Sequence, residues 1–430
     1  MKPTRMLIPA GMVVIVLAVL GAATRQQAPQ APIFEVDPLW PKPMPNHWLL
    51  GSAVGVAVDA RDHIFVVHLT DSFNQRTEIG LASNPPTGDC CLPAPNVLEF
   101  DTTGALVGHW GGPGQSYTWP GTNHGIAIDP QGNVWIAGSG GQDTRLLKFS
   151  RDGRFLQEIG KAVTAPPVPS AAAATDTANA GAAGRAGGRG GRGGRAGGPP
   201  QLPANSSSTE SFGGAAGIAF DASANEAYVA DGYRNRRVVV IDTRTGAFKR
   251  FFGAYGGKPD DATLPAYDPA AQRARQFSTV RCAELSRDGF VYVCDRAHNR
   301  IQVLRKDGTF VKEQVIAPQT RGEGSVWDIA FSRDPQQRFL YVADGMNMKV
   351  HILDRQTLEV LTSFGTGGKQ PGQFLGVHSI ATDSKGNLYT TETNQGKRLQ
   401  RFVFKGIGPV TSKDRGVVWP VRPVRTGAGS

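Results

Sequence analysis

Two histidines occupy the same frame of two similar segments, His124 in NHGIAI and His378 in VHSIAT, and a third segment, VRCAEL, puts Arg281 at that place. Three further copies of the frame carry Val54, Ala216 and Trp327 there. Imidazole exchanges protons near neutral pH, and a guanidinium binds a carboxylate through paired hydrogen bonds. If the six positions converge, Arg281 with neutral His124 and His378 forms a pocket for a carboxylate or another small anion, with Trp327 as an aromatic wall. His68, Tyr233 and Arg296 close neighbouring apolar runs, where a phenol and a guanidinium suit proton transfer and charge stabilisation, or simply cover a rim.

The elements that must bring these residues together are repeated hairpins. YVADGYRNRRVVVID, from Tyr228, returns as YVCDRAHNRIQVL and YVADGMNMKVHIL, and more weakly as LYTTETNQGKRLQRFVF. Each copy is an alternating run, a turn rich in Asn and Gly, and a second alternating run, which predicts a β-hairpin. Asp295 and Asp344 are 49 positions apart, and Asp344 and Glu392 are 48 apart. That period predicts one four-stranded blade per repeat, and six such units can be counted. The fold class expected is all-β, a six-bladed β-propeller over residues 33–406. Its sixth blade lacks an outermost strand, and the strand-like IFEVDPLWP, residues 33–41, is free to complete it. The innermost strands then line a central channel, with the six aligned positions at its mouth.

The hairpin pattern resembles that of NHL-repeat propellers. The order WPGTNHGIAIDPQGNVWIAG, YVADGYRNRRVVVID, QFSTVRCAELS and FLGVHSIATDSKGNLYTTET is more specifically similar to the peptidyl-α-hydroxyglycine α-amidating lyases, metal-dependent propellers that release glyoxylate and a peptide amide. The resemblance implies an axial zinc held by His124 and His378, catalytic roles for Tyr233 and Arg296, and a structural calcium. It is broken at three places. Arg281 stands for the middle zinc histidine, Leu69 for a rim arginine, and Ser379 for an acidic calcium ligand. A guanidinium stays protonated and ligates no metal, which weighs against both ions and leaves His68 as a candidate replacement ligand.

The first 23 residues read as a secretory signal peptide, with an uncleaved membrane anchor as the alternative, so a secreted or periplasmic location is expected. The net charge is +10, but six of those charges fall in the first 25 residues and in the Ala/Gly/Arg-rich run, leaving +4 for the body. Nucleic acid is therefore not an expected partner. The low-complexity insertion at 162–211 reads as disordered, and residues 407–430 as a tail. Cys282 and Cys294, on adjacent predicted strands, suit a disulfide, while Cys90 and Cys91 read equally well as a vicinal bridge or as two thiols. The expected function is an exported binding propeller for a small anionic or peptide C-terminal ligand. A lyase of the resembled type and a ring that binds a protein partner are the alternatives.

Overall fold

The computed structural model describes residues 28–163 and 201–420. The predicted signal peptide, the heart of the Arg-Gly run and the last ten residues lie outside them. Among the described residues no helix is long and apolar enough to cross a membrane.

Six four-stranded antiparallel sheets form a six-bladed propeller. From the axis outward, blade one is Ser52–Val58, Ile64–Leu69, Val97–Phe100 and Leu106–Trp110. Blade two is Asn123–Ile128, Val134–Gly138, Leu146–Phe149 and Phe155–Ile159. Blade three is Ala215–Asp221, Glu226–Asp231, Arg237–Asp242 and Phe248–Phe252. Blade four is Val280–Leu285, Phe290–Asp295, Arg300–Arg305 and Phe310–Val315. Blade five is Asp328–Phe331, Phe339–Asp344, Lys349–Asp354 and Val360–Phe364. Blade six is Val377–Thr382, Leu388–Glu392 and Arg398–Pro409, completed by Gln30–Asp37 from the other end of the chain.

The acid that recurs in the hairpins is a structural clamp. Asp231 receives Arg237 Nε at 2.9 Å and the backbone N–H of Gly213 at 2.6 Å, tying the hairpin to the segment that leads into the innermost strand. Asp295 repeats this with Arg300 and Ser278, and Glu392 with Arg398 and Leu375. Each buried carboxylate is thus matched by a cation and a backbone donor, the condition under which burial of charge is tolerated.

Residues 201–211, read from sequence as part of the insertion, are built into blade three. The buried guanidinium of Arg237 donates to the carbonyls of Ser206 and Ser211, both at 2.9 Å. Past Pro409 the chain also continues in contact with the body, where the backbone N–H of Val36 donates to Val418 O at 2.7 Å and that of Gly365 to Gly416 O at 2.7 Å. Cys282 and Cys294 face each other across the two inner strands of blade four and are bonded, as are Cys90 and Cys91.

Candidate functional site

The six aligned residues do converge, and a backbone irregularity explains how. In blades one, three, four and six the pairing of the two inner strands shifts register across Val54, Ala216, Arg281 and His378, and in blade two across His124 and Gly125. A residue bulged out of a ladder is released from the alternation of the strand and re-aimed. Here it is turned to the axis, where all six residues line one channel.

Polar and apolar members of this tier alternate, and each polar one bonds the backbone of the apolar residue on the next blade. His124 Nδ1 donates to Ala216 O at 2.9 Å, Arg281 Nε reaches Trp327 O at 3.4 Å, and His378 bonds the Val54 backbone. With Nδ1–H so engaged, the Nε2 lone pair of His124 is left for the axis.

The centre of the tier is the guanidinium of Arg281, which is 4% exposed. One of its terminal nitrogens donates to His124 Nε2 and to the Tyr233 hydroxyl, and the other to His378 Nε2 at 2.8 Å. Burial, reinforced by the adjacent Arg281 charge, holds both imidazoles well below the usual histidine range and therefore neutral. Burial also pulls the Arg281 pKa down, and no carboxylate forms an ion pair with it among the described residues.

Tyr233 roofs the tier, its hydroxyl 2.6 Å from His124 Nε2. Gly232 makes this approach available: a side chain there would collide with the backbone of Val280. Arg296 lies outside the tier, stacked on Trp327 with its guanidinium carbon 5.1 Å from the ring centroid and paired with Glu323 at 2.5 Å. Gly324, at φ +79, lets the backbone after Glu323 press against Arg296 O. The buried Nε of Arg296 has no hydrogen-bond partner among the described residues.

His68 does not join the site. Its Nδ1 accepts the Gly51 N–H at 3.1 Å and its Nε2 lies 2.8 Å from Pro95 O. Both nitrogens are spent on backbone, and burial lowers its pKa to about 4. His68 is a structural histidine of blade one and cannot complete a metal site.

The donor set does not fit zinc. Two imidazole lone pairs converge, but both accept hydrogen bonds from a cation that occupies the place of the third ligand. At the predicted calcium position, Ser379 donates at 2.6 Å to Asp328, a carboxylate that the neighbouring blade supplies.

Sequence reasoning expected the channel but singled out no residue of it below the tier. The channel has a volume of about 840 Å³ and runs away from the Tyr233 roof toward the opposite face, past Asp328 and Glu284 to Arg151 and Arg333. Three residues past the tier position, five blades carry Ala57, Ala127, Ala219, Ala330 and Ala381, and blade four carries Glu284. That single departure was visible in the alignment of the innermost strands.

No family model matches the chain. Among solved structures it is similar to a protein of unknown function from Bacteroides thetaiotaomicron, at 14% identity over 83% of this chain and 70% of that one, with a TM-score of 0.46. It is also similar to virginiamycin B lyase from Staphylococcus aureus, at 11% identity over 86% and 99% of the two chains with a TM-score of 0.45. A streptogramin B lyase matches at 11% identity over 88% and 98%, with a TM-score of 0.43. None of the chemistry of these proteins is carried over to this chain.

Proposed function

We propose that the protein is an exported NHL-type propeller, diverged from the amidating-lyase pattern, that binds the carboxylate of a small molecule or of a peptide C-terminus in its axial channel. The observation that supports this reading is the buried guanidinium of Arg281, held at the axis by neutral partners and without an ion pair among the described residues. A buried cation is costly until an anion meets it. Arg281 lines the channel, so an anion entering from the open face reaches it. The neutral imidazoles fix the orientation of the guanidinium and add no competing charge; four of its five N–H groups are engaged, so a carboxylate meets it through its charge and the one remaining N–H.

Isothermal titration with short carboxylates, such as propionate and N-acetylglycine, tests the reading. Wild type should bind and Arg281→Gln should lose at least about tenfold in affinity. Equal binding by both proteins would refute it. Supplying an α-hydroxyglycyl peptide and following glyoxylate release tests the catalytic alternative in the same preparation.

A further inference from the structure

The chamber below the tier holds chemistry that a site for a simple carboxylate does not need. Its wall is a ring of alanines from five blades, which leaves the middle of the channel wide, and the sixth place projects the carboxyl of Glu284 into that space. Among the described residues this carboxyl has neither a hydrogen bond nor an ion pair, and only burial and the Asp328 charge act on it. Asp328, one residue past the tier on blade five, lines the same space. It is fixed by Ser379 Oγ at 2.6 Å and by the backbone N–H groups of Ile380 at 3.0 Å and Ile329 at 2.9 Å. The chamber therefore presents a guanidinium at its closed end and two carboxyls along its wall, between apolar surfaces that include Ile126, Ile218 and Ile329.

We infer that the channel takes an amphoteric small molecule of the ω-amino-acid class, with its carboxylate at Arg281 and its ammonium between Glu284 and Asp328. This rests on the carboxylate reading for one end of the ligand and adds a cation subsite at the other. The spacing sets the length: Arg281 and Glu284 stand three residues apart on one strand, about 10 Å at the usual rise, and side chains leaning inward shorten the gap. A ligand with about four or five carbons between its charged ends spans it. The carboxyl pair also explains why the cation is recognised. Burial, with the Asp328 charge beside it, raises the Glu284 pKa to about 8, so the empty chamber holds a neutral acid that an arriving ammonium converts to a carboxylate. Arg281 lies on the same strand, while Arg151, Arg333, Asp59 and Asp129 belong to the mouth of the channel.

The test compares valerate, δ-aminovalerate and pentylamine on wild type, Arg281→Gln, Glu284→Gln and Glu284→Ala. The last variant completes the alanine ring and guards against misfolding of the glutamine variant. We expect δ-aminovalerate to bind wild type at least about tenfold tighter than valerate, with release of about one proton at neutral pH, read from titrations in buffers of different ionisation enthalpy. Both Glu284 variants should erase that preference. If valerate and δ-aminovalerate bind equally, or if the Glu284 variants keep the preference, the cation subsite is refuted and the carboxylate reading stands. If pentylamine binds as tightly as δ-aminovalerate and Arg281→Gln changes nothing, the amphoteric assignment and the carboxylate reading both fall.

Discussion

Arg281 donates to the Nε2 atoms of both His124 and His378, so one guanidinium consumes the two imidazole lone pairs that face the axis. A metal ion and a guanidinium compete for the same lone pairs, and only one can occupy the centre. Arg281→Gln removes the charge, but Arg281→His changes the donor set itself. It should place a third imidazole in a tier whose two existing ones are already neutral and oriented. Metal analysis after dialysis against micromolar zinc should give about one zinc per chain for the variant and far less for wild type. Stoichiometric zinc in wild type would mean that Arg281 swings out of the tier, contrary to its bonds.

Glu284 should make the protein less stable as the medium becomes alkaline. The unfolded chain has the ordinary glutamate value of 4.5 and the folded chain about 8, so between them the native state holds a proton that the unfolded state lacks. Stability from this group is complete below about 4.5 and is lost as pH rises toward 8. Since Glu284 is only part-buried and lines the open channel, the loss is discounted to about 1–2 kcal/mol. Denaturant midpoints of wild type and Glu284→Gln should coincide near the low end of this window and separate above its high end, with the variant the more stable. Parallel profiles across the window would show that the carboxyl ionises freely.

His68 should matter to stability and not to binding. Its ring bridges Gly51 N and Pro95 O, and His68→Asn can keep at most one of these bonds. Leaving a buried backbone group unpaired costs about 1–3 kcal/mol, readable as a lower denaturant midpoint at neutral pH. The pH dependence runs opposite to that of Glu284. A folded pKa near 4, below the ordinary 6.5, means that stability is fully present above 6.5 and drains away as pH falls toward 4. Carboxylate affinity in the folded variant should equal that of wild type, and a large loss would place His68 in the channel after all.

The repeat made the blades legible because an alternating strand and an Asn-Gly hairpin leave a period that survives divergence. The tier was legible for the same reason, since equivalent positions of a repeat land on equivalent points around an axis. What the strings could not give is direction. Arg296 and Tyr233 follow the same clamp acid in their blades, yet one is held outside Trp327 by Glu323 while the other roofs Arg281. His68 looked equivalent to them and is turned into its own blade by two backbone groups. The first two outcomes depend on contacts with the neighbouring segments and blades, and the third on loop backbone within blade one; the period of the repeat encodes neither. Glu284 was the opposite case, a plain signal among five alanines that lay below the mouth on which the reading concentrated.

The ring should be only as stable as its closure, because the strand that completes blade six comes from the opposite end of the chain. Phe34, 2% exposed on that strand, packs its ring 5.5 Å from Tyr341, 5.8 Å from Phe364 and 5.9 Å from Phe404. Tyr341 and Phe364 belong to blade five and Phe404 to blade six, so this one side chain joins two blades as well as two ends. Phe34→Ala removes all three contacts and leaves a cavity at the seam, at a cost of about 3–5 kcal/mol. Hydrogen exchange should then show faster exchange for the amides of Arg398–Pro409, the strand that loses its partner, while blades two and three keep their protection. If exchange accelerates equally around the ring, the propeller opens as a single unit and the seam is no weaker than the other blade contacts.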